Sequence, residues 1–128
     1  AVTGSGYVVS NAGNVTLTTQ MFLPSVGTTI RTGGAGAVSD TLPTTASIIT
    51  DVSAEIPGGV WDIGSFYQLM WINNQSTVGF NWSITRGDTS TCFKAGTTTA
   101  ISATSGNFAN YNIVSIMRLT STEILIFI

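Results

Sequence analysis

Alternation of apolar and polar residues is the dominant pattern along this chain, and it predicts β-strands. Val78, Phe80, Trp82 and Ile84 occupy every second position, and small or polar residues fill the positions between them. Successive side chains of a strand point to opposite faces, so this spacing predicts a half-buried strand with one apolar face. Weaker strand patterns cover residues 7–9, 15–19, 28–31, 91–94 and 98–102.

A second clear strand signal covers residues 111–119. One face of this strand holds Tyr111, Ile113, Met117 and Leu119, and the other holds Asn112, Val114, Ile116 and Arg118. Clusters of Gly, Asn, Asp and Pro separate the strands and are typical of turns. Many short strands at a spacing of about 8–12 residues predict an all-β sandwich or barrel.

Two segments, Phe66–Ile72 and Ile124–Ile128, are apolar on both faces. A strand of this kind has to be covered twice, once by its own core and once by something else. In a chain this short, a partner subunit could supply the second cover. We therefore predict an oligomer interface formed by Leu125 and Phe127 or by Tyr67, Leu69 and Trp71.

One helix is predicted near residues 44–56. Pro43 and Thr44 suit its start, because Thr44 can cap the first free N–H groups. Pro57 and the glycine after it end the helix. The pattern places Asp51 and Glu55 on the solvent side and gives helical spacing to Ala46, Ile49, Val52 and Ile56.

The composition favours an assembly. The chain has 128 residues, which predicts a single domain over 1–128, and only ten formally charged side chains, 8% of the total. Ordinary soluble domains carry about 25% charged residues. A polar but uncharged exterior suits a protein whose surface is covered by neighbours. A secreted domain that uses Ser and Thr hydroxyls as its polar face is the alternative.

The residue types limit the chemistry. The chain has no histidine, which removes the commonest general base and metal ligand, and Cys92 has no second cysteine to pair with. We expect no enzyme activity, no cofactor and no metal. The four basic residues are scattered, so no nucleic-acid surface is predicted. No apolar run is long enough for a membrane span, and Ala1 fits removal of an initiating methionine as well as another cleavage.

Two features could mark a receptor site. Arg86, Gly87 and Asp88 form the tripeptide that many integrin ligands display, although Gly-Asp is also ordinary turn chemistry. The three tryptophans could form a platform on which sugars stack, although core packing is the alternative for Trp82.

Residues 40–49 read D-T-L-P-T-T-A-S-I-I and resemble the D-T-L-P-T-A-A-x-I-V segment of small jelly-roll proteins encoded by phages and large DNA viruses. In that group the segment forms a short helix. Ile-Pro and glycines follow it, and a long strand comes next. Residues 56–59 and 66–74 repeat this order here, and residues 99–128 resemble the group's closing turn and strands. Residues 78–93 depart from its glycine-rich form.

The resemblance covers residues 40–128 and implies a jelly-roll-like antiparallel β-sandwich that forms a homotrimer. Such domains decorate the outside of capsids or form the heads of fibres. We therefore expect a structural virion protein on the capsid exterior, with itself and a major capsid or fibre protein as partners. The alternatives are a receptor- or carbohydrate-binding module at a fibre tip and a secreted adhesin or filament subunit.

Overall fold

The computed structural model describes residues 6–75, 77, 79–93, 96, 98–101 and 110–128. Within these ranges the chain is mostly β-structure with one short α-helix. The elements in chain order are β1 (Tyr7–Ser10), a 3₁₀ turn (Thr19–Phe22), β2 (Thr28–Thr32), β3 (Val38–Thr41), α1 (Thr45–Glu55), β4 (Phe66–Asn73), β5 (Trp82–Thr85), β6 (Thr91–Phe93), β7 (Thr98–Ile101), β8 (Asn110–Arg118) and β9 (Ile124–Phe127).

The described strands form two sheets. The larger sheet has the order β1-β2-β4-β8-β9-β6, and the smaller sheet has the order β3-β5-β7. The β-rich class with one helix is confirmed, but the prediction of antiparallel pairing is wrong for four strand pairs. β1 with β2, β2 with β4, β3 with β5, and β6 with β9 run parallel. Parallel neighbours need long crossover connections, and the chain between β2 and β4 supplies one by carrying β3 and α1.

The core lies between the two sheets and is closed by α1 and the 3₁₀ turn. Trp71 of β4 and Trp82 of β5 are fully buried, and their ring centroids lie 6.4 Å apart. Phe22 of the 3₁₀ turn meets Trp71 edge-on at 5.7 Å. A strand had been expected over residues 15–19, but this segment makes a single bridge from Thr16 to Thr41. Its residues pass into the 3₁₀ turn, which brings Met21 and Phe22 into the core.

The helix forms as predicted and buries Val52, but Thr45 and Ile48 are buried in place of Ala46 and Ile49. Thr44 is the N-cap, and its side chain accepts from the backbone N–H of Ser47 at 3.4 Å. Thr45, Ile48 and Val52 are buried, whereas Ala46 is exposed. Ile49 and Ile56 pack at the margin of the core. Among the described residues, no helix has the length and apolarity to cross a bilayer.

A buried ion pair joins the two sheets. Arg31 of β2 and Asp40 of β3 are fully buried, and Arg31 Nε lies 2.6 Å from Asp40 Oδ2. The same carboxylate accepts from the backbone N–H of Val15 and from the indole N–H of Trp82, each at 2.9 Å. The guanidinium also donates to the carbonyl oxygens of Asn11, Gly13 and Thr32. This hydrogen bonding offsets the cost of taking both charges out of water.

Candidate functional site

The larger sheet has one face in the core and one face turned away from it, which we call the outer face. Residues paired across neighbouring strands share a face. The register of β4 with β8 therefore places Met70 beside Ile113 and Phe66 beside Met117 on the outer face. The apolar side chains of the outer face are Val8, Ile30, Phe66, Met70, Ile72, Cys92, Tyr111, Ile113, Met117, Leu125 and Phe127.

Four of these side chains are open to solvent over half of their surface or more. The exposed fraction is 63% for Phe66, 67% for Tyr111, 58% for Val8 and 50% for Ile113. The other seven are partly exposed. Single exposed apolar residues are ordinary, but a predominantly apolar face that extends across six strands is typical of an interaction surface.

The outer face also lacks charge among the residues that the structure describes. Among the described residues, the charged residues of the larger sheet, Arg31 and Arg118, point to its inner side, and the other charged residues lie on β3, on α1 or in loops. The polar residues of the outer face are neutral: Ser10, Thr28, Thr32, Gln68 and Ser115. Charged residues are likewise depleted at the centres of protein–protein interfaces.

The predicted interface residues divide between the two faces. Leu125 and Phe127 lie on the outer face, each partly exposed. Tyr67, Leu69 and Trp71 lie on the inner face, and Trp71 is completely buried within this chain. Leu69 and Trp71 therefore offer almost no surface to a partner subunit in this structure, because the chain's own core covers them. The outer side of β4 carries Phe66, Met70 and Ile72 instead.

Tyr67 has a structural role at the margin of the core. Its hydroxyl donates a hydrogen bond to the backbone carbonyl of Phe22 and so ties β4 to the 3₁₀ turn. Its ring packs against that of Trp61 at a centroid distance of 5.6 Å. Burial, with a smaller effect from the nearby Glu55 carboxylate, raises the pKa of Tyr67 above its ordinary value of 10.0. The hydroxyl therefore keeps the proton that it donates.

The Arg86-Gly87-Asp88 tripeptide is held against the helix start. The Asp88 carboxylate accepts from Thr45 N at 2.9 Å, from Thr45 Oγ1 at 2.6 Å and from Ser90 N at 3.0 Å. These three bonds occupy both carboxylate oxygens, so the predicted receptor loop does not present Asp88 as a free carboxylate. Gly87 is also packed closely, because a β-carbon added there would lie 2.3 Å from the Leu42 carbonyl oxygen.

Hydrogen bonding also shifts the acidity of Asp88. Desolvation acts to raise the pKa of Asp88, but the hydrogen bonds from Thr45, Ser90 and Thr91 outweigh it and hold this pKa below its ordinary value of 3.8. Four neutral donor groups on these three residues favour the charged form, since Thr45 donates through both its hydroxyl and its backbone N–H. The carboxylate thus completes the N-terminal turn of α1.

The three tryptophans are core residues. Trp61 is 2% exposed, and Trp71 and Trp82 are 0% exposed. Each indole N–H donates within the chain: Trp61 to Ser65 O, Trp71 to Met21 O and Trp82 to Asp40. None of the three can stack on a sugar in this structure, so the carbohydrate-binding alternative loses the residues on which it was based.

Asp51 and Glu55 lie on the exposed side of α1, as predicted, but they also attach neighbouring segments. Asp51 accepts from the Thr19 hydroxyl at 2.6 Å, and Glu55 accepts from the Ser25 hydroxyl at 2.9 Å and the Ser25 N–H at 3.1 Å. These carboxylates therefore hold the 3₁₀ turn and the loop after it against the helix. No group of three or more metal-ligating side chains occurs among the described residues.

Two open grooves run beside α1. One, of about 480 Å³, is lined in part by Ser53, Trp61 and Arg118, and the other, of about 320 Å³, by Thr45 and Asp88. The charged groups of both grooves are already engaged. The Arg118 guanidinium donates to the carbonyl oxygens of Thr120, Trp61 and Ser121. The outer face is therefore the stronger candidate for function.

Comparison of the chain with protein-family models, with curated proteins and with solved structures finds no match.

Proposed function

We propose that this protein is a structural subunit that acts by association on the outside of a virus particle, as a capsid decoration or as a fibre head. The outer face is the observation that carries the association part of the proposal. The resemblance of residues 40–128 to small viral jelly-roll proteins supplies the location. The proposal rests on a β-rich domain with an apolar sheet face, and it does not depend on jelly-roll connectivity.

The size of the outer face supports an interface. Its four most exposed side chains and seven partly exposed ones leave about 600 Å² of apolar surface open, taking whole side-chain areas of roughly 100–200 Å². The largest apolar patch of a typical monomer is about 300–600 Å². A standard interface buries about 800 Å² per partner, of which a little over half is apolar. The outer face is thus large enough to serve as the centre of one.

The low charge of the chain supports the same proposal. Ten charged residues in 128 leave a thin polar coat for an isolated molecule. Several of these charges are unavailable to solvent or engaged in the chain, as for Arg31, Asp40 and Arg118. The partners that fit are other copies of this chain, in the homotrimer that the resemblance implies, and a major capsid or fibre protein. The site of action would be the virion surface.

Particle fractionation tests this function. Virus particles from the source of the sequence are separated on a density gradient, and each fraction is probed with an antibody raised against the purified chain. The chain is expected in the particle fractions, and the antibody is expected to label intact particles on their outside in electron micrographs. Absence of the chain from every particle fraction would contradict the proposal.

A further inference from the structure

The outer face carries an inference about its occupant that rests on the proposed function. We propose that a second copy of this chain covers the outer face, so that two larger sheets pack against each other through the same set of residues. This contact has two-fold symmetry, so it gives a dimer on the outer face in place of the homotrimer that the resemblance implies. Docking on a capsid or fibre protein would then use another part of the surface. Sheets packed face to face lie about 10 Å apart with their side chains interdigitated.

Charge is the first argument for a second copy. When a surface meets an identical surface about a two-fold axis, a charged group near that axis lies close to its own copy, and such like-charge contacts cost free energy. The described residues of the outer face carry no charged side chain, so no such contact arises. A face adapted to a different protein would gain specificity from complementary charges. The outer face is neutral throughout its described residues, as self-association requires.

The arrangement of rows is the second argument. Val8, Ile30, Ile72 and Tyr111 form one apolar row across four strands. Another apolar row contains Phe66, Met117, Leu125 and Cys92. Between them lie the apolar pair Met70 and Ile113 and the neutral polar pair Gln68 and Ser115, each paired across β4 and β8. Amide and hydroxyl groups both donate and accept, so each can bond to its counterpart in an identical face.

The available area is the third argument. Each copy offers about 600 Å² of apolar surface, and the neutral polar residues between the rows add to the contact. A stable interface needs about 800 Å² from each side, with a little over half of it apolar. The outer face of one copy therefore matches in size and chemistry what the outer face of another copy requires.

A matched pair of variants tests the inference. Ile113 is 50% exposed at the centre of the outer face, and Ile63 is 63% exposed in the turn before β4. Light scattering and sedimentation equilibrium of the wild type are expected to give twice the 13.3 kDa chain mass at micromolar concentration, whereas three times that mass would contradict the two-fold contact. Ile113→Glu is expected to raise the dissociation constant at least about 100-fold, because it would bury an unpaired carboxylate in an apolar contact. Ile63→Glu should match the wild type.

The native cysteine provides a second readout that needs no variant. Cys92 lies on the outer face beside Leu125 and is partly exposed. Its reaction with a thiol reagent is expected to slow as the wild-type concentration rises through the dissociation constant. This measurement decides the matter if Ile113→Glu fails to give a folded circular dichroism spectrum. A rate independent of concentration would overturn the inference.

The remaining outcomes separate this inference from the proposed function. A wild-type chain that is monomeric at 100 µM, or an Ile113→Glu chain that keeps the wild-type mass, overturns the self-association of the outer face. If such a monomer still binds to particles and Ile113→Glu abolishes that binding, the face belongs to a virion protein and the proposed function stands. A monomer that is also absent from particles contradicts both.

Discussion

Replacement of Asp40 by asparagine tests how the two sheets are held together. The carboxylate of Asp40 is fully buried and accepts from four donors: Arg31 Nε and Nη2, the N–H of Val15 and the indole N–H of Trp82. Asparagine keeps the shape but has one accepting oxygen and an NH₂ group that only donates. At least one of the four donors therefore loses its partner, and the guanidinium loses its counter-charge.

The expected cost follows from these losses. Removal of one partner from a buried ion pair costs about 3–5 kcal/mol, because the other charge is left uncompensated. Small domains have a free energy of unfolding of about 5–15 kcal/mol, so this loss is a large part of the total. With a urea slope of about 1.5 kcal/mol per molar, a loss of about 4 kcal/mol lowers the unfolding midpoint by roughly 2–3 M.

Urea titration followed by tryptophan fluorescence measures the effect, since two of the buried tryptophans lie at or next to the ion pair. Asp62→Asn is the matched control, because Asp62 is exposed in a loop and the same chemical change there should alter stability by less than about 0.5 kcal/mol. Equal midpoints for the Asp40 and Asp62 variants would show that the Arg31–Asp40 pair does not stabilise the joint between the sheets.

Three further outcomes are expected. Val8→Glu, on the outer face at 58% exposure, should weaken self-association about tenfold, whereas Val60→Glu, at 62% exposure in a loop, should leave it unchanged in sedimentation equilibrium. Gly87→Ala should lower stability by about 1–3 kcal/mol in urea titration, because its β-carbon would meet backbone 2.3 Å away, whereas Gly13→Ala meets nothing within 4 Å. The lowered pKa of Asp88 means that its ionised form stabilises the fold above the ordinary value of 3.8, and this contribution is lost as the pH falls below it. The unfolding temperatures of wild type and Asp88→Asn should therefore converge towards pH 2.

For each of these three predictions, one result would contradict the reasoning. Equal effects of glutamate at Val8 and Val60 would mean that the position on the outer face does not matter. A Gly87→Ala protein as stable as Gly13→Ala would show that Leu42 and Pro43 can move aside. A gap between wild type and Asp88→Asn that is independent of pH would show that the carboxylate is not stabilised by its hydrogen bonds.

Period-2 alternation identifies a strand, but it does not determine which of the two faces of the strand is buried. In β8 the faces of Tyr111 and Val114 are similarly apolar, and the structure buries the face of Val114, which also contains Arg118. In β4 the one signal in the sequence is the volume of Trp71, which is larger than any side chain on the other face and so favours the face of Trp71 for the core. The alternation also carries no information about whether neighbouring strands run parallel or antiparallel, so it could not predict the parallel pairs.

Single polar residues were harder to interpret than apolar patterns. Asp40 and Arg31 stand nine positions apart, and no local pattern pairs them, because only the fold brings Arg31 Nε to 2.6 Å from Asp40 Oδ2. The tripeptide marks Asp88 in the sequence, but the residue that Asp88 contacts, Thr45, lies 43 positions away along the chain, so the sequence does not predict this contact. The N-cap of Thr44, by contrast, is a local interaction, and the sequence predicted it correctly.

The position of β9 in the larger sheet has a consequence for biosynthesis. β9 lies between β8 and β6, and the pairs that the structure gives to β6 are with β9 and with Gly96. During translation, β6 can join the larger sheet only after its neighbour β9, Ile124–Phe127, has left the ribosome. Nascent chains stalled before Ile124 should therefore remain protease-sensitive around β6, and a chaperone would have its longest opportunity to bind at this stage.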